Sequence, residues 1–229
     1  MTQKILTVVS SHQQFGDLTR KTGYWLEEVT HCHQVLSEAG FEIDFVSPQG
    51  GKPPMDEKSG DEKDKTNKNF LNNQVAVNKL ENSLLPSQVN PHDYEAIYFA
   101  GGHGAMWDFP DNTDLARIAV TIYEAGKIVS AVCHGSAGLL NIKLSNGKYL
   151  IENKKVAGFS NREESLLRLA KHVPFMLEDK LIKRGAIYKK GLPFTPYTVV
   201  DERLVTGQNP FSTKRLAQEL VTVLGGVGR

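Results

Sequence analysis

Short, nearly unbroken apolar runs alternate along this chain with longer stretches in which apolar residues recur at helical spacing. Lys4 to Ser10 is apolar and β-branched before a polar loop, which predicts a buried first strand. Leu26 to Ala39 follows as a helix closed by Gly40 at its C-terminal cap. Phe41 to Val46 alternates as a second strand, and Ala96 to Phe99 and Ile128 to Val132 supply two further apolar runs. Between these two, Thr113 to Ala125 has helical periodicity and stops at Gly126. Towards the end, Tyr197 to Val200 and Arg203 to Thr206 are strand-like, and a closing helix runs from about Ser212 to Leu224. Strands and helices alternating at these intervals predict parallel strands joined by crossover helices, a doubly wound α/β sheet. Ligands of such sheets meet the carboxyl ends of the strands, so the residues just after each strand carry the functional question.

One segment breaks the pattern. From Gly51 to Asn69, ten of nineteen residues are charged and almost none is apolar. Such a stretch buries little surface, so it reads as a charged surface insertion, a mobile flap, on a single domain covering 1–229. No internal repeat is present.

Composition adds exclusions rather than chemistry. The 229 residues are 40% apolar and 23% charged with a net charge of +1, which gives no strong field for a polyanion; nucleic acid is not an expected partner. Only two cysteines occur, Cys32 and Cys133, so the fold needs no disulfides and suits a reducing compartment. The apolar run Ile5 to Val9 is too short for a signal-peptide core or a membrane span. A cytoplasmic protein with no membrane partner is the expectation.

The residues after the apolar runs are unusual. Ile128 to Val132 leads straight into Cys133-His134-Gly135-Ser136-Ala137-Gly138, a cysteine where a buried strand turns into a helix. This is the arrangement of a nucleophile elbow, whose small neighbours let a strained residue project into a crevice. A helix N-terminus there is expected to favour the thiolate. The alternative, a buried structural cysteine, is outweighed by the Cys-His-Gly-Ser context. Phe99-Ala100-Gly101-Gly102-His103-Gly104-Ala105 follows another strand, and its backbone N–H groups, with that of His134, suit an oxyanion hole. Its glycine spacing fits neither a dinucleotide fingerprint nor a P-loop.

As a general base, His134 needs an orienting carboxylate. Glu163 and Glu164, after the strand-like Val156 to Ser160, sit where that acid could come from the same sheet edge. They equally fit an ordinary helix start capped by Asn161. Glu27 and Glu28 read by default as a solvated first turn. Cys32, between His31 and His33, reads as structural, because adjacent helical positions do not share a face and make no metal site. His12, His92 and His172 join no constellation.

Taken together, five motifs resemble the ThiJ/PfpI superfamily: Thr22-Gly-Tyr-Trp-Leu-Glu-Glu28, Phe99 to Ala105, Ala131-Val-Cys-His-Gly135, Gly158-Phe-Ser-Asn-Arg-Glu-Glu164 and Val205-Thr-Gly-Gln-Asn-Pro210. The likeness covers almost the whole chain and is nearest to the branch of heat-shock-type chaperones and glutathione-independent glyoxalases (glyoxalase III). Val173 to Lys180 resembles a subgroup described as amidotransferase-like. The resemblance implies a flavodoxin-like fold related to class I glutamine amidotransferases, and a homodimer. It implies Cys133 as nucleophile, His134 as its partner, Glu164 as triad acid, Glu28 as the carboxylic acid at the sulfur, and Gly102 and His134 as oxyanion-hole donors. No metal or organic cofactor is implied. The substrate would be a small reactive aldehyde, with methylglyoxal converted to lactate. Two other readings use the same cysteine: a stress-response holdase or redox sensor, and a cysteine amidase, peptidase or deglycase.

Overall fold

Five consecutive buried residues, Ile128–Val132, form a strand at the middle of a six-stranded sheet. In chain order the sheet is built from β1 (Lys4–Val8), β2 (Glu42–Val46), β3 (Tyr94–Phe99) and β4 (Ile128–Val132), with α1 (Leu26–Glu38) connecting the first two. Between β2 and β3 the chain forms α2 (Lys65–Asn72) and α3 (Gln74–Glu81). Between β3 and β4 it forms a single turn, α4 (Ala105–Asp108), and α5 (Thr113–Glu124). After β4 come a short strand β5 (Lys155–Val156), α6 (Asn161–Leu166), α7 (Leu177–Lys183), β6 (Ile187–Tyr188), β7 (Thr198–Asp201), β8 (Leu204–Gly207) and α8 (Thr213–Val227). The computed structural model describes residues 3–61 and 63–227.

The sheet order is β2-β1-β3-β4-β8-β7. All neighbours run parallel except β7, which returns antiparallel to β8 at the edge. The helices around it, with α1 packed on α8 and α5 on β3 and β4, make the flavodoxin-like α/β fold. Parallel strands buried on both faces need continuous apolar sequence. This is why KILTV, YEAIYF and IVSAV stand out from the sequence. Gly40 ends α1 at φ +90°, as its position predicts.

Two expectations are corrected. The segment Val156 to Ser160 does not open on the main sheet: only Val156 is in a strand, β5, which pairs with β6 in a separate two-stranded sheet. It reaches the site through other bonds, the Ala157 N–H donating to Thr206 Oγ1 at 2.9 Å and the Phe159 N–H to the Cys133 carbonyl at 3.3 Å. The described residues of the charged segment 51–69 are tied to the fold by hydrogen bonds rather than standing clear of it as a flap. The Tyr24 N–H donates to the Pro54 carbonyl and the Asp56 N–H to the Tyr24 carbonyl, each at 2.9 Å. Asp56 itself is fully buried, accepts from Thr22 Oγ1 at 2.8 Å and pairs with Arg20 at 3.4 Å. Buried Asn67 accepts from Thr30 Oγ1 at 2.5 Å, and Asp64 caps α2. Buried hydrogen bonds from a few polar side chains anchor this segment, so its lack of apolar residues does not leave it free.

Candidate active site

The carboxyl ends of β3 and β4 lie side by side, since Phe99 is in register with Ala131. The chain leaves β4 through a tight 3₁₀ turn, Cys133–Leu139, all of it buried, with Cys133 at φ +55°. A non-glycine residue there is strained, and the conformation aims its side chain away from the turn into the crevice. Gly102, leaving β3, sits at φ +99°, where a Cβ would come within 2.3 Å of the Gly23 carbonyl oxygen; only glycine fits.

Cys133 Sγ lies 3.4 Å from Nδ1 of His134, whose Nε2 is 2.7 Å from Oε2 of Glu164. Glu164 Oε1 is also 3.0 Å from Nε2 of His103. Burial alone would raise the Glu164 carboxyl, but the imidazoles of His134 and His103 outweigh it and hold the group well below the usual carboxylate range. An ionised Glu164 only accepts, so both histidines present Nε2–H to it, which leaves Nδ1 as the His134 nitrogen placed to accept a proton from the sulfur side. Burial, with His134 alongside, lowers His103 to about 4 and keeps it neutral. Its ring lies 4.0 Å from that of His134, centroid to centroid, and its Nδ1 has no hydrogen-bond partner among the described residues.

Glu163, the neighbour of Glu164, serves elsewhere. Its Oε2 accepts from the Ser160 N–H, Ser160 Oγ and Gln208 Nε2, and its Oε1 from the Phe194 N–H and Asn209 Nδ2. It completes a capping box with Ser160, which is the N-cap of α6 in place of Asn161.

Glu28 is fully buried, not the solvated first-turn residue of the default reading. The Gly101 N–H donates to its Oε2 at 2.5 Å, and Tyr98 Oη to its backbone carbonyl at 2.8 Å. Burial pushes its carboxyl up to about 8, although the Cys133 thiol and the Gly101 N–H pull the other way. The expectation that a helix N-terminus lowers the Cys133 thiol is reversed. Burial raises it, a charged Glu28 raises it further, and the His134 backbone N–H offsets only part of this. A charged Glu28 therefore opposes the thiolate. Cys32 is buried, and burial pushes its thiol up.

Above the sulfur opens a cleft of about 210 Å³ walled by Trp25, Phe159, Leu167, Phe194, Pro210 and Phe211. His103, His134 and Glu164 are the one group among the described residues with ligand atoms close enough, within 4.8 Å, to hold a metal ion. Those same atoms already pair with one another, so a metal would have to break both imidazole–carboxylate bonds.

A strained cysteine beside a histidine and a buried acid, at the strand ends of such a sheet, recurs in several enzyme lineages, so kinship decides between them. The model of the DJ-1/PfpI family matches residues 20–223. The chain belongs to that family. Among its relatives, "Glutathione-independent glyoxalase HSP31" of Saccharomyces cerevisiae is 36% identical over 97% of this chain and 98% of its own. "Glyoxalase 3" of Candida albicans is 32% identical over 96% and 98%. In solved structures, the Francisella tularensis Rapid Encystment Protein 24 kDa superposes with a TM-score of 0.94 at 39% identity, covering 97% of this chain and 99% of that one. Glyoxalase III from Candida albicans superposes at 0.86 and 30% identity, covering 96% and 97%. In this DJ-1/PfpI member Cys133, His134 and Glu164 stand in one line of contacts, and Glu28 is buried near the sulfur. The structure adds His103, whose position in the Gly-Gly-His-Gly motif was the only sequence signal for it. Among the described residues no helix is long and apolar enough to cross a membrane.

Proposed function

We propose that this chain is a glutathione-independent glyoxalase, a glyoxalase III-type lyase that converts methylglyoxal and related 2-oxoaldehydes to 2-hydroxy acids. The observation that carries the reading is the buried relay from Cys133 through His134 to Glu164 at 3.4 and 2.7 Å, on the floor of a cleft of about 210 Å³. Sites for drug-sized molecules span roughly 300–1,000 Å³. A cleft below that range suits a small aldehyde and weighs against a peptide substrate.

The Cys133 proton passes to His134 Nδ1, and the thiolate attacks the aldehyde carbon. A C–S bond forms, and the carbonyl π pair moves to oxygen, where the N–H groups of Gly102 and His134 receive it. His134 hands the thiol proton to the oxyanion, completing the hemithioacetal, and is then free to take the proton from the former aldehyde carbon. That C–H pair becomes a C=C bond while the ketone π pair moves to its oxygen, which receives the hydroxyl proton. His134 delivers its proton to the former ketone carbon, leaving the thioester of a 2-hydroxy acid. Water cleaves the thioester, restoring the thiol and releasing lactate in the methylglyoxal case. The aldehyde carbon is oxidised by as much as the ketone carbon is reduced, so one water is the sole co-reactant. Glu164 orients His134 and stabilises its cationic form, and protonated Glu28 hydrogen-bonds the sulfur while it is charged.

The test is lactate formation from methylglyoxal without glutathione, compared with Cys133→Ala. A folded wild-type protein that forms none overturns the proposal. The reading also carries a cytoplasmic homodimer, checked by light scattering of the purified protein, and one domain over 1–229, checked by a single cooperative unfolding transition.

A further inference from the structure

The cleft has two unlike sides. Cys133, His134 and His103 make its floor, whereas Trp25, Phe159, Leu167, Phe194 and Phe211 make an apolar wall. The wall begins beside the reacting groups: the Phe159 ring lies 4.3 Å from that of His134, and the Phe194 ring 6.5 Å beyond Phe159. Among the described residues no lysine or arginine lines the cleft, and the charged side chain at its edge is Glu27, which accepts from Trp25 Nε1 at 3.1 Å. Nothing there would receive a substrate carboxylate, and Glu27 would repel one. Methylglyoxal, with a single methyl group, leaves most of the wall untouched. An apolar cavity of about 150 Å³ takes a benzene ring, so about 210 Å³ admits a phenyl group together with the dicarbonyl.

The wall is held deliberately. Phe194 sits at φ +55°, a conformation a bulky residue adopts only when its surroundings impose it. What imposes it is fully buried Glu163, whose Oε1 accepts from the Phe194 N–H at 2.9 Å and from Asn209 Nδ2 at 2.8 Å. Asn209 precedes Pro210 and Phe211, and Glu163 stands one helical turn before Leu167. One buried carboxylate thus ties together the three segments that supply Leu167, Phe194 and Phe211.

Resting on the glyoxalase reading, we propose that this wall selects 2-oxoaldehydes whose ketone bears an uncharged apolar group, aryl groups above all, and that Glu163 is the positioning residue that holds it. The test compares kcat/KM for phenylglyoxal, methylglyoxal and 4-carboxyphenylglyoxal. Wild type is expected to favour phenylglyoxal over each of the others by about tenfold or more, the scale of discrimination by apolar pockets. Phe211→Ala, at a position 57% exposed and so tolerant of change, should lower the phenylglyoxal value about tenfold more than the methylglyoxal value. Glu163→Gln should narrow the same ratio by raising KM for phenylglyoxal, a change that a loss of stability alone would not produce. Turnover of methylglyoxal with no phenylglyoxal preference, a ratio unmoved by Phe211→Ala, or equal use of the anionic aryl substrate overturns the inference. No turnover of any of the three overturns the glyoxalase reading itself.

Discussion

Replacing Glu28 with glutamine removes a charge that the folded protein resists. Burial lifts this carboxyl from an ordinary 4.5 to about 8. Between those values the folded protein keeps a proton that the unfolded chain has released, so stability falls as pH rises. The penalty is absent below the unfolded value and complete above the folded one. At about 1.4 kcal/mol per pH unit, the full effect is at most about 5 kcal/mol. Glutamine is neutral throughout and still offers an oxygen to the Gly101 N–H. The comparison belongs in a Cys133→Ala background, where no thiol titrates beside the carboxyl and burial, the main cause of the shift, is unchanged. Urea unfolding at about pH 5 and pH 8 should show the Glu28 protein losing about 3–4 kcal/mol more than Glu28→Gln. Parallel losses in the two proteins would refute the claim that Glu28 is held protonated.

Other substitutions separate neighbouring roles. Glu164→Gln should lower kcat on methylglyoxal by about 10²–10⁴-fold with the fold intact, while Glu163→Gln, whose NH2 must face the donors on either Oε1 or Oε2, should cost about 1–3 kcal/mol in chemical denaturation; the reverse outcome would exchange the two assignments. His103→Leu takes away one of the two imidazoles that keep Glu164 ionised, so the acid limb of kcat/KM, followed from about pH 4 to 7, should move to higher pH; an unmoved limb would make His103 a packing residue. Asp56→Ala leaves buried Thr22 and partly buried Arg20 without their acceptor and should cost about 3 kcal/mol in urea unfolding, whereas a negligible loss would mean that segment 51–69 is not anchored.

What could be read from the sequence was whatever depends on local pattern. The parallel strands announce themselves because burial on both faces demands unbroken apolar runs, and Cys133 stands out because it ends one of them among small residues. Glu164 could not be separated from Glu163 by pattern, since both favour a helix start; only the tertiary structure shows one facing His134 and the other capping α6. His103 bonds a residue 61 positions away, a pairing without any spacing signature. The burial of Glu28 was hidden for the opposite reason, because an acid in a first turn is the commonest solvated arrangement. Helix α2 escaped because it is tied down by buried Asn67 and Phe70 rather than by a broad apolar stripe, and α3 because eight residues with only Ala76 and Leu80 buried give too short a period.

The most direct test follows methylglyoxal loss and lactate formation together, without glutathione, for wild type and for Cys133→Ala of matched circular dichroism. The account predicts lactate equal to the aldehyde consumed by wild type, and none above background from the variant. A folded Cys133→Ala protein that retains most of the rate, or a folded wild type that yields no lactate, would contradict it.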